Sequence, residues 1–233
     1  MVILGIETST KTSSVALRDG EKIRDEISLQ LGLSHSERVI PLLDEILKRN
    51  GMSVKDIDGI AVSIGPGSFT GIRVGVSTAR GLAQSLNVPL VGIPSLDGLA
   101  FGVGTSGEVV CPMVDALRRE IYTALYHGRK RLTPHQLIGI EKWLERLKDE
   151  GETILFLGEA VDIYENLIKD SLQKKAKIVE KEKRYASAAR VAELGLEKLV
   201  SGEGKKYDEV FPLYIRRPEA ELKWEEKKRL RKI

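Results

Sequence analysis

Cysteine is nearly absent from this chain: of 233 residues, Cys111 is the single one. One thiol excludes an internal disulfide and a multi-cysteine metal site, which suits a reducing, cytoplasmic setting. Long apolar runs are missing as well. No stretch approaches the ~18 residues that span a bilayer, so no membrane attachment is expected. Met1-Val2-Ile3-Leu4 leads straight into a core-like strand without a basic n-region, so no signal peptide is expected either. The histidines are His35, His127 and His135. None has another His four residues away, so a metal site has no scaffold and no cofactor is expected. The net charge of +3 is too small to argue for nucleic acid by itself. Asn and Gln are scarce among many Lys and Glu, a composition that leans towards a thermophile.

What is present is an ordinary folded composition, 42% hydrophobic and 30% charged. Residues 2–7 read as a buried strand, Thr8–Ser13 as a hydroxyl-rich turn, and Val15-Ala16-Leu17 as a returning strand. Asp19-Gly20 signals a hairpin into a third strand over 22–29. Ser34-His35-Ser36-Glu37 is a capping box opening a helix to Asn50, with Gly51 to end it. Pro41, about two turns in, predicts a kink or a false start. A strand over 59–64, a helix over 70–86 and a strand over 89–93 follow. The order β-β-β-α-β-α-β is the ribonuclease-H-like arrangement, an α/β unit with a mixed sheet.

Beyond the glycine-rich link at 102–107 a second series begins. Strands are expected at 109–114 and 121–126, then a helix through Ile140, Trp143, Leu144 and Leu147. A strand over 153–157, a helix over 160–172, a short strand at 178–179 and a helix over 186–200 complete it. The strand-helix order partly recurs. Two related lobes are therefore expected, 1–103 and 104–233, with the last helix as a candidate to pack back on the first lobe.

The densest stretch is Gly65–Leu86, where strand, glycines and helix come in the order of a nucleotide site. The details do not support that chemistry. A P-loop needs a lysine after its glycines, and Ile72 stands there. A dinucleotide fingerprint needs a third glycine and a later acid; Thr70 takes the glycine's place and residues 85–93 contain no acid. Ser77 in Gly75-Val76-Ser77 lies mid-helix, where no nucleophile elbow forms. The first turn is more suggestive. Glu7 at a strand end, followed by Thr8, Ser9 and Thr10, is a glycine-free version of the turn with which actin-like ATPases hold metal and phosphates. Weak nucleotide binding and a plain polar cap on two buried strands are both open readings.

On a wheel of about 100° per residue the 70–86 helix has three faces. Ile72, Gly75, Val76, Ala79, Leu82, Ala83 and Leu86 suit a sheet; Arg73, Ser77, Arg80 and Gln84 are polar. Gly71, Val74, Thr78, Gly81 and Ser85 form a third, small face with the spacing of a helix-helix seam. Each interior glycine costs about 1 kcal/mol relative to alanine. Something is therefore expected to pack there, either a neighbouring helix of the same domain or a partner.

Gly65-Pro66-Gly67-Ser68-Phe69-Thr70-Gly71-Ile72-Arg73 resembles the signature of the TsaB (YeaZ) family. Ile6–Thr10, Ser34–Glu37, Asp115–Tyr122 and Tyr214-Ile215-Arg216 support the likeness along the whole chain. The resemblance implies an actin-like ATPase (ASKHA) fold and a non-catalytic subunit of the bacterial machinery for N6-threonylcarbamoyladenosine in tRNA. It implies docking on a catalytic TsaD-type paralogue through N-terminal helices, with a TsaE-type ATPase joining, and a homodimer when alone. The expected interface is His35, Arg38, Val39 and Leu42 with Gly71, Val74, Thr78, Gly81 and Ser85. TsaD-like proteins carry a metal-binding His pair where this chain has Ser95 and Leu99. No catalytic or metal residue is therefore expected. Arg129, Lys130 and Arg131, with Lys227, Lys228 and Arg229 of the basic tail, are candidate tRNA contacts auxiliary to the complex. The alternative is a metal- or ATP-dependent enzyme of the same ASKHA, peptidase-like group.

Overall fold

The computed structural model describes residues 1–30, 38–101, 103 and 108–216. A first sheet has the order β3-β2-β1-β4-β5, from β1 (Val2–Glu7), β2 (Thr12–Asp19), β3 (Lys22–Gln30), β4 (Gly59–Gly65) and β5 (Leu90–Pro94). The first three strands form an antiparallel meander, while β4 and β5 run parallel to β1. The hairpin closes between paired Asp19 and Lys22, with Gly20 at φ +55°.

Two helices cover one face. α1 (Val39–Arg49) buries Val39, Leu42, Leu43, Ile46 and Leu47, and Gly51 follows it at φ +63°. Pro41 is only the third residue of α1. Its missing N–H has no intrahelical carbonyl to meet, so the expected kink does not arise. The capping box at 34–37 lies outside the described residues. α2 (Phe69–Leu86) starts at Ser68, whose Oγ accepts a bond from Gly71 N at 3.2 Å, and ends on Asn87 in the left-handed region.

The second sheet has the order β10-β7-β6-β11-β12. Its strands are β6 (Val109–Asp115), β7 (Glu120–Thr123), β10 (Gln136–Gly139), β11 (Ile154–Leu157) and β12 (Ala176–Ile178). A small hairpin, β8 (Tyr126–His127) and β9 (Lys130–Arg131), hangs from β6. With α4 (Ile140–Leu147) before β11 and α5 (Glu159–Leu172) after it, the second series repeats the first strand for strand. The expected 121–126 strand is split into β7 and β8, and β10 was not foreseen.

Each series ends on one more helix, α3 (Ser95–Ala100) after β5 and α6 (Ala188–Val200) after β12. They pack crosswise. Leu96, Leu99 and Ala100 of α3 join a core with Val110 and Val114 of the second sheet. Val191 and Ala192 of α6 join one with Ile3, Ala61, Val91 and Ile93 of the first. Close approach of α6 depends on Gly195, where a Cβ would come within 2.2 Å of the Ala61 Cβ. The α6 N-terminus is held from β2 and β3: Ser14 Oγ accepts from Ala188 N at 3.2 Å, and Glu26 Oε1 accepts from Ser187 Oγ at 2.8 Å and Ala189 N at 3.2 Å. A carboxylate there also complements the helix dipole.

Candidate functional site: a filled turn and an open helix face

The turn between β1 and β2 packs into the start of α2. Thr8 and Ser9 are both 0% exposed. Thr8 Oγ1 donates to Gly71 O at 2.8 Å and takes the place a Cβ on Gly75 would need, 2.3 Å away. Ser68 N donates to Ser9 O at 2.7 Å, and a Cβ on Gly67 (φ +155°) would sit 2.0 Å from that oxygen. The glycines at 67 and 75 are thus explained within the chain, by the hydroxyl turn itself.

Three backbone N–H groups of this turn are engaged. Ser9 N and Ser9 Oγ both donate to Glu7 Oε1 at 2.6 Å. Lys11 N donates to Glu159 Oε2 at 3.0 Å, and Thr12 N to Thr10 Oγ1 at 3.3 Å. Burial pushes the Glu7 carboxyl above its ordinary range, against the Ser9 hydrogen bonds. Burial likewise raises Glu159, with Asp115 adding repulsion. A phosphate entering beside Ser9 would find the Glu7 and Glu159 carboxylates and occupied amides. Thr10, with Lys11, borders a cavity of about 600 Å³ between the two sheets' loop ends.

The positions matched to the metal-binding His pair fit no metal. Leu99 is 1% exposed among apolar neighbours, and the buried Ser95 hydroxyl donates to Pro66 O. Among the described residues no group of three or more His, Cys, Asp or Glu converges on a point. Cys111 lies in the second core, where burial pushes its thiol up to about 11.

The small face of α2 divides in two. Gly71 is buried under the first turn, and Val74 packs on the first core. Thr78 is half-buried, while Gly81 and Ser85 are exposed. A Cβ on Gly81 would meet nothing within 4 Å. On α1, the interface candidates Val39 and Leu42 are 1% and 4% exposed and belong to the first core. The adjoining Ile40 is 52% exposed instead, and Arg38 is half-buried. His35 lies outside the described residues.

The basic residues differ in their freedom. Arg129 pairs with Glu197 at 2.8 Å and stacks on Phe101; Arg131 faces Asp97 and His135. Burial opposes charge on Asp97, but His135 and Tyr126 hydrogen bonds hold it below the ordinary carboxylate range. Lys130 alone of the three is exposed without a partner among the described residues. Lys227, Lys228 and Arg229 lie outside them.

One feature escaped sequence reasoning. The segment 205–216 runs back along the first sheet, with Lys205 bridging to Leu90 and Leu213 N donating to Ile64 O at 2.8 Å. Tyr214 accepts from Arg73 Nε at 2.9 Å, and Phe211 lies under Arg80. Arg216 then reaches Glu120 and the Ala116 carbonyl, joining the two sheets' loops. The Tyr214-Ile215-Arg216 motif was visible, but its contacts lie 96 to 141 residues away in sequence.

Residues 31–224 match the family model TsaD: tRNA N6-adenosine threonylcarbamoyltransferase. The tRNA threonylcarbamoyladenosine biosynthesis protein TsaB of Bacillus subtilis is 34% identical over 228 residues, covering 96% of this chain and 98% of that protein. TsaB of Escherichia coli is 36% identical over 128 residues, about half of each chain (54% and 55%). Among solved structures, YeaZ from Pseudomonas aeruginosa superposes with a TM-score of 0.75 at 23% identity, over 91% of this chain and 99% of that one. The activator of the 2-hydroxyisocaproyl-CoA dehydratase from Clostridium difficile, with bound ADPNP, gives 0.55 at 10% identity, over 92% and 100%. These likenesses agree with the expected α/β, actin-like ATPase (ASKHA) fold. A family model spanning most of the chain and a relative aligned nearly end to end leave one conclusion: the chain belongs to the TsaB (YeaZ) family.

Proposed function

We propose that this protein serves tRNA threonylcarbamoyladenosine biosynthesis as a non-catalytic subunit, docking on a catalytic TsaD-type paralogue. The observation that carries this reading is the divided face of α2. Its first half is filled from within, whereas Gly81 and Ser85 stay uncovered although an exposed glycine in a helix costs about 1 kcal/mol. Small side chains at that spacing let a second helix backbone approach closely. The non-catalytic part rests on the spent amides of the first turn and on Leu99 in place of a ligand.

In this reading the same face pairs two copies of the chain when no paralogue is present, a TsaE-type ATPase joins the assembled pair, and tRNA is engaged through the complex. The decisive experiment mixes the protein with a TsaD-type partner and measures tRNA modification with and without it. Thr78→Arg should abolish association in sedimentation velocity while circular dichroism shows a folded chain. Association of the folded variant at wild-type strength would refute the docking face. ATP turnover by the isolated chain with magnesium would refute the non-catalytic role and favour the ATP-dependent enzyme.

A further inference from the structure

The cavity between the sheets' loop ends remains open after the first turn has been closed. At about 600 Å³ it has room for a small organic molecule. Its walls are ring and aliphatic surface from Phe69, Tyr122, Tyr214 and Ile215. Two carboxylates, Asp115 and Glu159, also face it. Each is satisfied on one oxygen, by Leu117 N at 3.1 Å and by Lys11 N at 3.0 Å. Among the described residues no ion pair or hydrogen bond reaches the other oxygen of either.

The cations nearby do not cancel this charge. Arg216 is committed to Glu120 and to the Ala116 carbonyl. The exposed Lys11 side chain makes no ion pair with Glu159 within 4.0 Å, and it eases the raised carboxyl only from a distance. An anion would meet two carboxylates, Asp115 and Glu159. A neutral apolar molecule would leave those carboxylates desolvated without compensation. An ammonium or guanidinium on an apolar stem satisfies both requirements, since rings attract cations across their faces and the carboxylates accept its hydrogen bonds.

We infer that this cavity binds an organic cation: a primary amine or guanidinium carried on an apolar or aromatic stem. The site is independent of the α2 face and stands whether or not that face docks a partner. The chemistry is shared by a free amine and by a Lys or Arg side chain of another protein.

The test is calorimetry on the full chain with three probes of one stem: phenethylamine, phenethyl alcohol and 3-phenylpropionate. The amine should bind about tenfold or more tightly than the alcohol, and the carboxylate should not bind. Glu159→Gln and Asp115→Asn keep the acceptors for Lys11 N and Leu117 N, so both variants should fold. Each should lower amine affinity about tenfold while leaving the alcohol unchanged. Tyr214→Ala should weaken amine and alcohol alike. Spermidine and a short lysine-containing peptide then separate the sources: preference for either supports the site and names its occupant. Equal binding of amine and carboxylate, amine binding untouched by both carboxylate variants, or no amine binding at all would overturn the proposal.

Discussion

Gly81→Ala should stabilise the isolated protein and weaken its association in the same variant. Gly81 sits inside α2, and its added methyl would meet nothing within 4 Å in the single chain. The substitution then changes only helix propensity, a gain of roughly 0.8–1 kcal/mol. For a chain of this size that is a rise of about 2–4 °C in Tm, read by circular dichroism at concentrations dilute enough for monomer. In a seam where two helix backbones touch, the same methyl overfills the contact, which costs about 1–3 kcal/mol. Partner affinity should therefore fall by a factor of about 5 to 150, read by sedimentation of the mixed proteins. A more stable variant with undiminished association would remove the docking role from this face. A less stable one would show that the methyl meets the chain itself.

The matched substitution Gly195→Ala should act in the opposite sense, because its Cβ would come within 2.2 Å of Ala61 Cβ. A loss of about 1–3 kcal/mol is expected, and an unchanged or raised Tm would contradict the close seat of α6. Glu7→Gln bears on pH. A carboxyl whose folded pKa is raised contributes stability that is fully present below its unfolded value, about 4.3, and is lost as pH rises through the folded value. Wild type should thus gain on Glu7→Gln as pH falls from neutral to about 4; a Tm difference constant over that whole span would disprove it. Cys111, fully buried with its thiol raised to about 11, should resist thiol reagents at pH 8 until the chain is unfolded. Labelling at the rate of a free thiol under native conditions would argue against that burial.

Much of the architecture was legible because its signals are local. The apolar runs of β1, β4 and β6 and the i, i+3, i+4, i+7 pattern of α4 depend on neighbours in sequence alone. α3 escaped because six residues containing Gly98 give too little period to detect, and β10 because four residues do not establish alternation. The three faces of α2 were readable from spacing. What fills them was not, since Thr8 reaches Gly71 across 63 residues and Tyr214 reaches Arg73 across 141. The same distance hid the anchoring of α6, where Glu26 and Ser187 are 161 residues apart. Val39 and Leu42 were named for the interface from the family resemblance, which says nothing of what buries them in the single chain, where they lie in the first core.

The crosswise seating of α3 and α6 has a consequence during synthesis. Ile3, Ala61, Val91 and Ile93 present an apolar surface on which α6, residues 188–200, packs. Those residues leave the ribosome after the entire second sheet. At 5–20 residues per second, roughly 5–20 s separate emergence of β5 from emergence of α6. Through that interval the nascent chain carries a finished half whose hydrophobic back is bare. The protein is thus most exposed to misassembly until α6 has emerged, and a truncation just ahead of α6 should yield an insoluble product.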